Sequence, residues 1–118
     1  MDKHAMDGDT AETLAGVVRL LRQAAVHAWA AVDRAEAGSP GQLFALGVDL
    51  AADQARHLVP DGTDVDGPVP VGDEPAGLLR SAELLLRRLA PLAVWEAVDD
   101  LRATVAELVW EANTGVGG

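Results

Sequence analysis

Residues 39–60 read SPGQLFALGVDLAADQARHLVP, and this segment contains both a start signal and a stop signal for one helix. Ser39 is a preferred N-cap residue, and Pro40 fits the first helical position. Pro60 disfavours helical geometry at the residue before it, so the sequence predicts a helix over residues 40–59. We expect the buried face of this helix to consist of Leu43, Phe44, Gly47, Leu50, Ala51, Ala55 and Leu58.

Three further segments have the spacing of an amphipathic helix. The first covers about residues 11–37, with Thr10 as its N-cap, and the other two cover about 74–90 and 91–113. We favour a break at Pro91 over a single kinked helix. Their buried faces are expected at Leu14, Val17, Leu21, Ala24, Ala28, Ala31 and Ala35; at Leu78, Ala82, Leu85, Leu86 and Leu89; and at Val94, Val98, Leu101, Val105 and Leu108. Helices joined by short connections run antiparallel, so the sequence predicts an all-α, four-helix antiparallel bundle.

The length of 118 residues is typical of a single domain. We expect the bundle to occupy residues 11–114, between a disordered N-terminal tail at 1–10 and a Gly-rich tail at 115–118. Residues 60–73 are rich in Pro, Gly and Asp and have no helical or strand period. This loop is long for a compact domain, and we expect it to be either mobile or functional.

Composition supports the helical interpretation. Ala, Leu and Val supply most of the apolar residues, while Ile and Tyr are absent and there is one Phe, so residues that favour strands are scarce. Arg replaces Lys almost everywhere, with Lys3 the single lysine, which suggests a high-GC bacterial source. The absence of cysteine excludes disulfides and thiolate metal sites.

The net charge of −10 limits the range of expected partners. An acidic chain is repelled by phosphate backbones and anionic lipid surfaces, so we expect neither nucleic acid nor membrane as a partner. No apolar run approaches the roughly 20 residues of a membrane span, and the N-terminal residues are polar. A cytoplasmic location is the simplest expectation.

The last predicted helix has a second apolar face in addition to its buried one. Trp95 falls about 90° from the centre of the buried face and Trp110 about 150° from it. The second face consists of Leu92, Trp95, Ala106 and Trp110. Because Trp is enriched at protein interfaces, this face predicts a homodimer or another protein partner. The alternative is that two partly exposed tryptophans only shield the edge of the bundle.

The same helix carries four acidic residues, Glu96, Asp100, Glu107 and Glu111, which we call the acidic ridge. The predicted helix at 74–90 offers Arg80, Arg87 and Arg88. The ridge is expected either to be a solvated surface or to face these arginines, with exposed ion pairs contributing under roughly 1 kcal/mol each.

A possible ligand site is predicted around His27, Trp29, Asp53 and His57. The chain could be a small-molecule or ion-binding sensor if alanine-rich packing leaves a gap near His27 and Trp29. The alternative is structural, with His27 at the edge of a helix and His57 paired to Asp53, four residues before it.

Enzymatic function has little support in the sequence. No histidines have metal-binding spacing, and the acidic pairs with helical spacing occur as expected by chance in so acidic a chain. We therefore predict a non-enzymatic protein–protein interaction or regulatory scaffold domain without a cofactor, homodimeric through the last helix. A metal-dependent hydrolase acting on nucleotides is the remaining alternative, and its candidate carboxylates are Asp33 with Glu36, Asp49 with Asp53, and Glu96 with Asp99.

Overall fold

The computed structural model describes residues 8–32, 40–59, 62, 63, 65, 75–89 and 96–113. These residues form four α-helices and no strand. The helices are α1 (Gly8–Ala31), α2 (Pro40–Leu58), α3 (Pro75–Leu89) and α4 (Glu96–Asn113). The predicted all-α, four-helix bundle is therefore confirmed.

The ends of α1 differ from the prediction. The helix begins at Gly8, so Thr10 lies inside it and is not its N-cap, and residues 8–10 belong to the helix and not to a tail. It ends at Ala31, where the backbone N–H of Val32 donates to the carbonyl oxygen of Trp29 at 3.1 Å and closes a tight turn. The predicted continuation over residues 33–37 lies outside the described residues.

The other helix ends follow the sequence more closely. α2 begins at Pro40 and ends at Leu58, and α3 begins at Pro75. Charges at three helix ends suit the helix dipole, because α2 and α3 carry basic residues in their last turns and α4 carries Glu96 and Asp99 in its first turn. α3 and α4 are separate helices, while the predicted break point at Pro91 lies outside the described residues.

The four helices occupy the corners of a square. α1 packs against α2 and α3, and α4 packs against the same two helices. Within the described ranges α1 does not contact α4, nor does α2 contact α3, so these pairs are diagonal. The order around the bundle is therefore α1, α2, α4, α3.

Neighbouring helices run antiparallel. Arg80, near the start of α3, bonds to Asn113 at the end of α4, and Leu108 in the second half of α4 lies against Gly47 in the first half of α2. α2 and α3 therefore point the same way, and the connection between them must return along the length of the bundle. Val65, one of three described residues in that connection, is buried in the core.

The core consists of aliphatic side chains with one aromatic ring, and no polar or charged residue of the described segments is buried in it. In α1, Leu14, Val17, Leu21, Ala24 and Ala28 are buried as predicted, and so are Ala15, Val18, Leu20 and Ala25, because this helix packs against two neighbours. The predicted positions in α3 and α4 are also buried, except that Leu85 is half-buried and Val94 lies outside the description. No helix in the described segments is long and apolar enough to cross a membrane.

The predicted buried face of α2 is wrong at two positions. Phe44, Ala51 and Ala55 are buried, but Leu43 and Leu50 are exposed. Ala45, Val48 and Ala52 are buried instead. The buried positions of α2 centre on Val48, and Leu43 and Leu50 lie about 140° and 160° around the helix from it, on the face turned to solvent.

Candidate interaction surface

The outer face of α2 carries a row of exposed leucines, which we call the leucine stripe. It consists of Leu43, Leu46 and Leu50, whose exposed fractions are 60%, 43% and 67%. Spacings of three and four residues place them along one line of the helix, about 10 Å long. A single exposed leucine is ordinary, but three in one row form an apolar patch of the kind that marks a contact site.

The leucine stripe borders the line along which α2 meets α4. A Cβ added to Gly47 would lie 3.1 Å from Cδ2 of Leu108, so this pair marks the contact between the two helices. Around the axis of α2, Leu43 and Leu50 lie about 40° and 60° from Gly47, on the side away from the core. Leu43 and Leu50 therefore flank the Gly47–Leu108 contact, and Leu46, about 100° from Gly47, lies farther out on the solvent face of α2.

The acidic ridge of α4 lies on the other side of this contact. Asp100 and Glu107 lie about 80° and 100° around the α4 axis from Leu108, again away from the core. Glu96, Asp100 and Glu107 are exposed, and Glu111 is half-buried. We call the space between the leucine stripe and the acidic ridge the α2–α4 groove. The ridge lies on the α2 side of α4, whereas Arg80 of α3 reaches the other edge of α4, where it bonds to Oδ1 of Asn113 at 3.3 Å.

The predicted second face of α4 is described only in part. Leu92 and Trp95 lie outside the described residues. Trp110 is 66% exposed and Ala106 is half-buried. Nη2 of Arg102 lies 3.6 Å from Oδ1 of Asp99, so this exposed ion pair runs along the same face. Trp110 thus remains a large apolar side chain in contact with solvent.

The four residues of the predicted ligand site do not lie in one place. His27 and Trp29 are two residues apart in α1, which puts them about 160° apart around the helix. Nε2 of His27 pairs with Nε2 of Gln23 at 2.8 Å within α1. Trp29 instead reaches α2, where its indole Nε1–H donates to Oδ2 of Asp49 at 3.3 Å. The hydrogen bonds of His27 and Trp29 therefore run in different directions, one within α1 and one to α2.

His57 and Asp53 form a local pair on α2. Nδ1 of His57 lies 2.8 Å from the backbone oxygen of Asp53 and 3.7 Å from its carboxylate Oδ2. Both side chains are exposed to solvent. This geometry matches the structural alternative, in which the histidine covers a backbone carbonyl near the end of its helix.

Asp49 and Asp53 line a shallow groove between α1 and α2. Its other lining residues are Arg22, Ala52 and Arg56, and its volume is about 150 Å³. Small-molecule sites usually occupy about 300–1,000 Å³. Two arginines and two aspartates balance each other's charge there, so this groove does not select strongly for one sign of ligand.

The described residues contain no group of three or more His, Asp or Glu side chains placed to share a metal ion. Of the acidic pairs considered from the sequence, Asp49 with Asp53 and Glu96 with Asp99 are surface residues, and Asp33 with Glu36 lies outside the description.

Comparison with known proteins gives no relative. No family model, no curated protein and no solved structure matches this chain.

The sequence does not predict the exposure of the leucine stripe, although the spacing of its residues is regular. Leu43, Leu46 and Leu50 recur at positions i, i+3 and i+7, which is the spacing of the buried face of an amphipathic helix. The sequence pattern instead predicts that Leu43 and Leu50 are buried, and it does not single out Leu46. The sequence has no local signal to distinguish a face covered by the chain's own helices from one available to a partner.

Proposed function

We propose that this chain is a protein-interaction domain that binds its partner through the outer surface of α2 and α4. The observation that carries the proposal is the leucine stripe, whose side chains are exposed although the same helix has a complete buried face. Exposed apolar rows with polar borders are typical of protein contact sites.

The energetics favour a functional explanation of the stripe. Fully burying an exposed leucine contributes about 1.5–3 kcal/mol, and these three, which are 43–67% exposed, give up a corresponding share of that stabilisation. Each leucine could be replaced by a polar residue without opening a cavity, because the core of α2 is filled by Phe44, Val48 and alanines. A partner that covers the stripe would recover this free energy on binding.

Site-specific crosslinking in the source cells tests the proposal. The photocrosslinker p-benzoylphenylalanine would replace Leu46 in one variant and Leu84 in the other. Leu84 is a matched control because it is a single exposed leucine, 56% exposed, on the outer face of α3. We expect protein adducts after irradiation of the Leu46 variant and few or none from the Leu84 variant. Equal adduct yields from the two positions would contradict the proposal.

A homodimer through α4 is a second arrangement, supported by the exposure of Trp110. An indole that is two-thirds exposed suits the centre of a contact, where Trp is enriched. Sedimentation equilibrium tests it, since the dimer predicts a mass twice that of the chain, reduced to the monomer mass by Trp110→Asp. A wild-type chain that stays monomeric at high concentration, or a dimer unaffected by Trp110→Asp, would exclude this arrangement.

A further inference from the structure

We infer that the occupant of the α2–α4 groove is a basic amphipathic helix of a partner protein. This inference rests on the proposed function and names the chemistry of the partner. The two walls of the groove differ in character, because the α2 wall is the leucine stripe and the α4 wall is the acidic ridge. A matching ligand needs an apolar face with a row of cationic side chains along one side of it.

The charge of the α4 wall is strongly one-sided. Between Glu96 and Asn113 there are five carboxylates, those of the acidic ridge and Asp99, and one cation, Arg102. Arg102 is paired with Asp99, which lies around the helix from the ridge on the side away from α2. The exposed carboxylates of Glu96, Asp100 and Glu107 therefore offer negative charge to the groove, and basic side chains of a ligand would pair with them.

The length of the leucine stripe suits a helical ligand. Gly47 contributes no side chain where α2 meets α4, so nothing from that position projects between the stripe and the ridge. The stripe is about 10 Å long, or two helical turns. A ligand helix with apolar residues at i, i+3 or i+4, and i+7 would match this row, in the helix-in-groove mode of recognition.

A second copy of the chain fits the groove less well. The net charge of −10 makes two copies repel each other, and a copy laid in the groove would have to present a cationic row. On α3, Arg80, Arg87 and Arg88 are exposed, but Arg80 bonds to Asn113 and Arg87 is paired with Glu83 within the chain. α4 carries five carboxylates and one cation. A basic partner is attracted at long range, which favours fast association.

Two synthetic peptides of about 18 residues, or five turns, would serve as probes. Both carry leucines at the same helical positions, with arginine at the remaining polar positions in one peptide and glutamate in the other. With fluorescein-labelled peptides and the full chain, anisotropy titrations are expected to show saturable binding of the arginine peptide and none of the glutamate peptide. Binding should weaken as NaCl is raised.

Four variants separate groove binding from attraction to an acidic protein in general. Leu46→Ser with Leu50→Ser, and separately Glu107→Lys, should each raise the Kd by about tenfold, or 1.4 kcal/mol. Leu84→Ser and Glu12→Lys are the matched controls, since both residues are exposed and lie on α3 and α1, outside the groove. These controls should leave the Kd within about twofold of wild type when all titrations are done at the same NaCl concentration.

Several outcomes would overturn the inference. One is that Glu12→Lys weakens binding as much as Glu107→Lys, which would show that net charge alone attracts the peptide. A second is that the leucine substitutions leave the Kd of the arginine peptide unchanged. A third is that the chain forms a homodimer and the leucine substitutions dissociate it. Adducts at position 46 without binding of the arginine peptide would leave the interaction domain in place and reject only the basic helix. Circular dichroism of each variant checks that the bundle stays folded.

Discussion

Gly47 of α2 lies so close to Leu108 of α4 that a Cβ at position 47 would be 3.1 Å from Cδ2 of the leucine. This is tighter than ordinary van der Waals contact, which begins at about 3.5 Å between carbon atoms. The pair therefore sets the separation of α2 and α4, and with it the width of the groove between the leucine stripe and the acidic ridge.

The size of the side chain at position 47 should control the free energy of unfolding. Alanine gains helix propensity worth about 1 kcal/mol, but its methyl group presses on Leu108, so Gly47→Ala should change the free energy of unfolding little. Gly47→Leu should destabilise the bundle by about 1–3 kcal/mol through overpacking. Gly77→Ala is the control, because no atom lies within 4 Å of its added Cβ, and it should be neutral or stabilising. Urea denaturation measures all three, and a Gly47→Leu variant as stable as wild type would contradict the close contact.

Ala28 tests the small-residue packing of α1. It is buried, whereas Ala30 on the same helix is exposed. Ala28→Leu should destabilise the bundle by about 1–3 kcal/mol, since the added methylenes have no space. Ala30→Leu places the same atoms in solvent and should stay within about 0.5 kcal/mol of wild type. Similar unfolding midpoints for the two variants would show that the interior beside Ala28 has room.

Salt should stabilise this protein. Three ion pairs of the described residues join neighbours on one helix at 3.6–3.7 Å: Asp53 with His57, Glu83 with Arg87, and Asp99 with Arg102. Pairs with a solvent-exposed partner contribute little. Repulsion from the net charge of −10 is the larger effect. Raising NaCl from about 0.01 M to about 1 M shortens the Debye length from about 30 Å to about 3 Å, and the Tm is expected to rise. KCl should act alike, because screening depends on ionic strength, and a falling Tm would contradict this account.

The bundle could be predicted because its signals are local. Pro40 begins α2 as expected, and the row Val98, Leu101, Val105 and Leu108 is buried as its spacing indicates. The start of α1 could not be predicted, because Thr10 is a residue type that commonly caps a helix, yet the helix extends past it to Gly8. Local preference identifies several acceptable ends, and tertiary packing selects one.

The candidate site could not be predicted because it depends on which helices are neighbours. The groove exists because α2 lies beside α4 and diagonal to α3, and the short sequence signals contain nothing that fixes this order. The face of α2 was ambiguous for a related reason. Leu43 and Leu50 are more hydrophobic than Ala45 and Ala52, yet the alanines are buried and the leucines are exposed. Hydrophobicity alone predicts that the leucines are buried, whereas close packing of helices favours burial of the smaller alanines.

Leu86 and Leu84 on α3 give a matched comparison of buried and exposed leucine in one helix. Leu86 is fully buried among the other core side chains, whereas Leu84 points to solvent. Leu86→Ala loses the transfer free energy of the side chain and leaves a cavity, so it should cost about 2–5 kcal/mol. Leu84→Ala removes atoms that are largely solvated in the folded and unfolded states and should cost under about 1 kcal/mol.

The same comparison applies to the leucine stripe. In the absence of a partner, Leu50→Ala on α2 should reduce the free energy of unfolding as little as Leu84→Ala does. If the arginine peptide covers the stripe, saturating peptide should stabilise wild type through linkage, by RT ln(1 + [L]/Kd). The stabilisation should be smaller in Leu50→Ala and unchanged in Leu84→Ala. Thermal melts with and without peptide measure this. A cost of Leu50→Ala near that of Leu86→Ala in the absence of peptide would show that the stripe is already covered within the chain, and would contradict its role as a binding surface.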